Sequence, residues 1–328
     1  MNAPLPNGLQ ASLFGANQRL HIQHGPTDLV IDADGPERLA LFEAAVGAMR
    51  EVLAGLAEEL PLLRAPWEAA RQPAGPVARR MHDACRLADG GFVTPMAAVA
   101  GAIADHVLAA MIQSRAGATA TKISVNNGGD IAFWTGDGAI TRAAIAGPDF
   151  SSITLHGPTG WRGMATSGHG GRSLSTGIAD SVTVLADSAA GADVAATLIA
   201  GAVDCPGVAG IQRRPAREID PDSDLGDQPV VVDVARLSHR EIGAALAAGR
   251  AVADEMVRSG SILDAVLCLH GQTMQTEAVT PTLCGGAVRR FSDALPRTID
   301  HRHQFRMSAK GGQGGRPEET VPAWRERR

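Results

Sequence analysis

The chain has 328 residues, 45% of them hydrophobic and 20% charged, with a formal net charge of −5. That length allows a large core in about two domains or lobes, and the composition is that of a globular protein. The charge pattern has no basic face, and seven Phe, four Trp and no Tyr leave little for base stacking, so nucleic-acid binding is excluded.

Cys85, Cys205, Cys268 and Cys284 form no CxxC pair. The N-terminus has neither a basic nor an apolar leader region, and no stretch reads as long enough to span a membrane. These features predict a cytoplasmic protein with reduced thiols, no membrane partner and a possible homodimeric state.

In chain order, residues 1–17 read as a flexible lead-in. Arg19–His24 and Asp28–Asp32 alternate apolar and polar residues around Gly25-Pro26, which predicts a hairpin. Apolar residues at helical spacing over 37–60 predict one helix closed by Pro61. A shorter helix follows around Val77–Leu87, and Asp89-Gly-Gly91 ends it. Thr94, as N-cap, and Pro95 open a buried helix to Met111. A short β-rich run from Thr121 stops at Asn126-Asn-Gly-Gly-Asp130, a second apolar run follows at Ile131–Trp134, and short strands are expected at 139–145, 152–155 and 161–166. Ser181–Ala186 is a strand, and Ser188 caps a helix over 189–203. An acidic loop over 218–227 precedes a strand at Pro229–Val234. Ser238 and Glu241 form a capping-box pattern opening a helix to about Ser259, and Ile262–Leu269 is the last strand. Residues 18–275 form the folded domain, and 276–328 are expected to be a disordered tail. Strands and helices without regular βαβ alternation give an α+β class with mixed sheets flanked by helices.

No GxxxxGK[ST] loop, HExxH, GxSxG or strand-bound GxGxxG occurs. Three pieces carry the chemistry. The first is Asn126-Asn-Gly-Gly-Asp130, which reads either as a tight hairpin turn or as a turn whose glycines let a ligand approach the backbone. The second is Met164-Ala-Thr-Ser-Gly-His-Gly-Gly-Arg-Ser173, where glycine N–H groups and Arg172 could cradle an anion, or whose glycine part is simply an exposed loop. His169 and Arg172 in that loop and Asp180 beyond it are candidate catalytic residues; His169 could be a general acid or base, although a loop histidine is commonly only solvated. The third is Asp193 and Thr197, four apart on one helix face, as hard oxygen ligands suit Mg²⁺. Asp193 could instead favour the helix dipole, and Thr197 could bond back to its own turn. Cys85 near His82, with Cys205 and Cys268, could serve sulfur chemistry, or these could be buried structural thiols.

The order of these pieces resembles the ApbE superfamily of FAD:protein FMN transferases. Val125-Asn-Asn-Gly-Gly-Asp-Ile131 is similar to its VN-x-GGDI motif, and Ala165-Thr-Ser-Gly168 to its ATSG strand end. Val182–Ala186 with Ala192-Asp-Val-Ala-Ala-Thr197 is similar to VTV…ADAxAT, and Gly101–Asp105 to the preceding helix. The resemblance implies a two-lobed α+β fold. FAD or another nucleotide would sit beside Asn126, Gly128, Gly129, Asp130, Thr166, Ser167, Gly168 and Arg172, with Mg²⁺ on Asp193 and Thr197.

Two departures matter. The transferases carry a lysine where this chain has Ala100. Their H-x-x-D-P-x-T-G segment is missing, since Gly168 and Val182 are only fourteen positions apart and Arg172–Asp180 lies between. That argues against authentic FMN transfer to a protein threonine. The pattern is closer to the uncharacterised UPF branch of ApbE-like proteins over most of 15–275. The expectation is therefore a Mg²⁺-dependent nucleotide- or flavin-binding enzyme of transferase or hydrolase type. The alternatives are an accessory protein in sulfur or cofactor metabolism that works without flavin, with a partner enzyme, and a binding protein without catalysis.

Overall fold

The computed structural model describes residues 8–276 except 17, 68–70, 89–90, 146–151, 159 and 172, together with 288–289. Alternating apolar residues build the first strands. β1 (Leu9–Phe14), β2 (Arg19–His24) and β3 (Thr27–Asp34) form an antiparallel meander. β1 lies inside the expected lead-in; Leu9 is buried, and Ala11 and Leu13 pack on the core.

The single helix predicted over 37–60 is three: α1 (Arg38–Met49), α2 (Val52–Glu58) and α3 (Leu60–Leu63). Pro61 does not close a helix but sits in the first turn of α3, where a missing N–H leaves no bond unmade. α4 (Pro76–Ala84) runs into a 3₁₀ turn at Cys85–Leu87. A second 3₁₀ turn, Pro95–Ala98, leads into α5 (Val99–Gln113). Thr94 caps neither, because its hydroxyl donates to Asp224 instead.

β4 (Lys122–Asn127) and β5 (Asp130–Thr135) form the central hairpin. β6 (Ile140–Ala144), β7 (Ser152–His156), β8 (Gly160–Ser167) and β9 (Ser181–Ala186) follow. The Ser188 hydroxyl accepts from the Gly191 N–H to open α6 (Ala189–Ala202). β10 (Ile211–Pro215), α7 (Ala216–Ile219) and β11 (Pro229–Val234) precede α8 (His239–Arg258), whose Ser238/Glu241 capping box is formed in both directions. β12 (Asp264–Leu269) is not the last strand, since β13 (Gln272–Gln275) pairs with it antiparallel. Of the segment expected to be a disordered tail, Val288–Arg289 forms β14 against β7; almost all the rest lies outside the described residues.

Nine strands make one sheet in the order β1-β2-β3-β4-β5-β8-β9-β12-β13. Every neighbouring pair is antiparallel, so the α+β class expected from the sequence is built on an antiparallel sheet and not on a mixed one. Register assigns the faces. Ile31, Val125 and Ala132 lie in one row on the helix side, and Val30, Asn126, Ile131 and Met164 in one row on the other. α1, α2, α4 and α5 pack on the first half of the helix side, α6 and α8 on the second. The small sheet β14-β7-β6 covers the opposite face around Phe133, Met164 and Leu185. The α+β class follows: hairpin connections keep the helices segregated on one face.

Pro95–Gln113, with mean hydropathy 1.6, is long and apolar enough to cross a membrane, contrary to the sequence reading. Its apolar surface is the buried face of the core, because α5 packs between the sheet and α1, α4 and α6.

Candidate functional site

The Asn126–Asp130 stretch is a hairpin and also part of a cavity wall. Asn127 pairs with Asp130 across a two-residue turn, and Gly128 (φ 66°) and Gly129 (φ 122°) both take positive φ, which favours glycine. The Asn126 Oδ1 accepts from the Gly129 N–H at 2.8 Å and stiffens the turn. Asn127, on the helix side, donates from Nδ2 to the Ala100 carbonyl at 3.1 Å, tying the turn to the start of α5.

A cavity of about 1040 Å³ wraps this turn. Beneath it is an apolar chamber walled by Leu53, Leu56, Leu60, Leu63, Met81 and Met96. Above it, on the open sheet face, a polar groove runs past Asp32, Ser124 and Asn126 toward Thr166, Ser167 and Gly168. All seven described residues assigned to the ligand side (Asn126, Gly128, Gly129, Asp130, Thr166, Ser167 and Gly168) line it. Thr166 is held twice: its N–H donates to Asp130 Oδ1 at 3.2 Å, and its hydroxyl meets that of the buried Thr183 at 2.9 Å. Arg172 lies outside the described residues.

Of the three catalytic candidates, His169 and Asp180 are among the described residues and are placed differently. The His169 N–H donates to the Ala179 carbonyl at 2.7 Å, which pins the glycine loop; the residue itself is not in the lining. Asp180 is turned toward the β12–β13 hairpin, where its Oδ2 accepts from the His270 N–H at 2.6 Å. Its place in the fold is that of a clamp, outside the cavity wall.

Asp193 and Thr197 sit one helical turn apart on α6 and are not among the residues that line the cavity; Asp193 lies near enough to Asp130, which does line it, for their charges to interact. Asp193 Oδ2 accepts from the Gly101 N–H at 3.1 Å. Burial pushes the Asp193 carboxyl well above the usual range, and the charges of Asp130 and Asp105 push it further, against the Gly101 N–H, which lowers it. Its charged neighbours are thus other carboxylates. Among the described residues no group of three or more His, Cys, Asp or Glu side chains is arranged to hold a metal ion. A cation here would draw on Asp193, Asp130, the Thr197 hydroxyl and water, a hard-oxygen set that fits Mg²⁺, which keeps much of its hydration.

Sequence reasoning passed over the role of Asp105, a carboxylate on an otherwise apolar helix and only 1% exposed. An acid amid Ala, Ile and Val was the signal, because a buried charge needs partners. Cys85 is fully buried and its thiol donates to the carbonyls of Met81 and Thr94. Burial first, then the Asp193 charge, raises its pKa to about 12, so the thiol stays protonated. Cys284 lies outside the described residues.

A family model described as "AbpE bacteria" matches residues 11–276. The chain belongs to this family. A UPF0280 protein of Methanothrix thermoacetophila is 32% identical to this ApbE-like chain over 191 residues, covering 56% of this chain and 76% of that one. A UPF0280 protein of Methanothermobacter thermautotrophicus is 41% identical over 134 residues, covering 40% and 49%. The flavin transferase ApbE from Vibrio cholerae aligns with a TM-score of 0.44 at 15% identity, covering 82% of this chain and 96% of that one. Family membership rests on the sequence match over residues 11–276.

Proposed function

We propose that this ApbE-like chain is a cytoplasmic enzyme that binds a flavin or another nucleotide together with Mg²⁺ in the cavity around the Asn126–Asp130 turn, and carries out a transfer or hydrolysis step there. One observation carries the reading. A single cavity of about 1040 Å³ joins an aliphatic chamber to a polar wall backed by clustered carboxylates. Such a space suits a ligand with an apolar ring at one end and phosphates at the other.

The chamber residues Leu56, Leu63 and Met81 would bury the ring. The backbone of Gly128 and Gly129 would approach the ligand closely, and the Thr166–Gly168 strand end would orient its polar middle. Asp193 and Thr197, with Asp130, would hold Mg²⁺. When bound, the ion would neutralise phosphate charge. Authentic FMN transfer to a protein threonine is set aside, because Gly168 and Val182 are too close in sequence for the transferase segment.

The test is titration of the purified protein with FAD, FMN and ATP, with and without Mg²⁺, followed by calorimetry and flavin fluorescence. Binding that needs Mg²⁺ and is lost in Asp193→Ala supports the reading. No binding of any of the three, or unchanged Mg²⁺-dependent affinity in Asp193→Ala, overturns it.

A further inference from the structure

Helices α5 and α6 exchange carboxylates. Asp105, in the second turn of α5, accepts from the first two N–H groups of α6: Ala189 to Oδ1 at 3.0 Å and Ala190 to Oδ2 at 2.9 Å. Asp193, in the second turn of α6, accepts from the Gly101 N–H in the first turn of α5. The helices meet so closely that a Cβ on Gly101 would lie 2.3 Å from the Ala189 carbonyl oxygen. Each aspartate therefore meets donors at the other helix's N-terminus, two N–H groups of α6 for Asp105 and one of α5 for Asp193.

The exchange is unequal. Asp105 commits both oxygens to α6 and is 1% exposed. Asp193 is half-buried and commits Oδ2 alone. The position of its other oxygen depends on where α6 begins and how α6 is turned. The Asp105 bridge fixes both, because two parallel bonds from one carboxylate leave the first turn of α6 no freedom to rotate.

We infer that Asp105 is a positioning residue: it fixes the start of α6 and so aims the second oxygen of Asp193 toward Asp130, setting the cation affinity of the site without touching the ion. This rests on the cation reading proposed above. It also means that the α6 N-terminus, already filled by Asp105, is not an anion site, and that any phosphate in the cavity must be neutralised elsewhere.

The experiment compares the wild-type protein with Asp105→Asn and Asp105→Ser, made together so that a folded form carries the test. Val107→Ala on the same helix is the control, as it loosens the core without touching α6's first turn. Mn²⁺ alone is the probe, followed by electron paramagnetic resonance, and hydrogen exchange is read over 189–193 in metal-free protein. Mn²⁺ binding is expected to weaken at least about tenfold in the Asp105 variants, and by less than about twofold in Val107→Ala at comparable loss of Tm. Equal weakening in Val107→Ala, or none in the Asp105 variants, overturns the inference. If the wild-type protein takes up no Mn²⁺, the cation reading fails by itself, and hydrogen exchange decides whether Asp105 fixes α6. Faster exchange over 189–193 in the Asp105 variants than in Val107→Ala upholds that role, and equal exchange overturns it.

Discussion

Asp193 is a carboxyl whose ordinary pKa of 3.8 is raised well above that value by burial and by its acidic neighbours. A raised acid favours the folded state fully below its unfolded pKa, and that contribution is lost as pH rises through the folded value. Above the unfolded pKa, keeping this carboxyl buried therefore weighs increasingly against folding as pH rises. Asp193→Asn keeps an oxygen for the Gly101 N–H and removes the charge. It should stabilise the metal-free protein by ~0.5–2 kcal/mol, more at about pH 8 than at about pH 5, while lowering Mn²⁺ uptake. Calorimetry at the two pH values checks this, and a Tm gain that shrinks as pH rises contradicts it. Cys85 gives the opposite kind of prediction. With its pKa at about 12 and no exposure, it should resist iodoacetamide in the native protein and react only after denaturation. Mass spectrometry of native and unfolded samples tests this; rapid native labelling at Cys85 would restore a reactive thiol to consideration.

Elements respond to substitution at their ends and at their closest approaches. Gly101 lies where α5 touches the first residues of α6, and Ala there would force the two helices apart. Gly101→Ala is expected to destabilise the fold by about 1–3 kcal/mol, read as a lower midpoint in urea. Ser238→Ala removes one side of the α8 capping box and should cost about 1 kcal/mol by the same measurement. The two differ in legibility. Ser238 and Glu241 announce a helix start by local chemistry, and the cap is present. Thr94 before Pro95 carries the same local signal, but its hydroxyl goes to Asp224, 130 positions away in sequence. The same limit explains the break of 37–60 into three helices and the strands β1, β10 and β13. Their pairing partners, not their own sequences, stabilise them.

Across the whole molecule the cavity is a product of three layers: α2–α4 with α5, the nine-stranded sheet, and the edge strand β6. No single motif contains it. Leu56, 9% exposed on α2, lines the chamber, and a larger ring there would fill it. Leu56→Trp should weaken binding of a ring-bearing ligand such as FAD at least about tenfold, while leaving inorganic pyrophosphate with Mg²⁺ within about twofold. Calorimetric titration with both ligands tests the division of the cavity. Equal loss for the two would mean that chamber and carboxylate end are not separate subsites.

The Asn126–Asp130 turn, the Thr166–Gly168 strand end and the Asp193–Thr197 pair were legible in order along the chain, because turn glycines and helical spacing are written in local sequence. That the turn and the strand end line one cavity, with Asp193 near enough to Asp130 for their charges to interact, was decided only by strand register. The β4–β5 hairpin sets Asp130 on the helix side, facing α6, and the Asn126 side chain on the open face. The chamber under α2–α4 and the exchange of Asp105 and Asp193 were likewise invisible from the sequence. Each depends on contacts between residues some 30 to 90 positions apart, and local propensity carries no information about such distances.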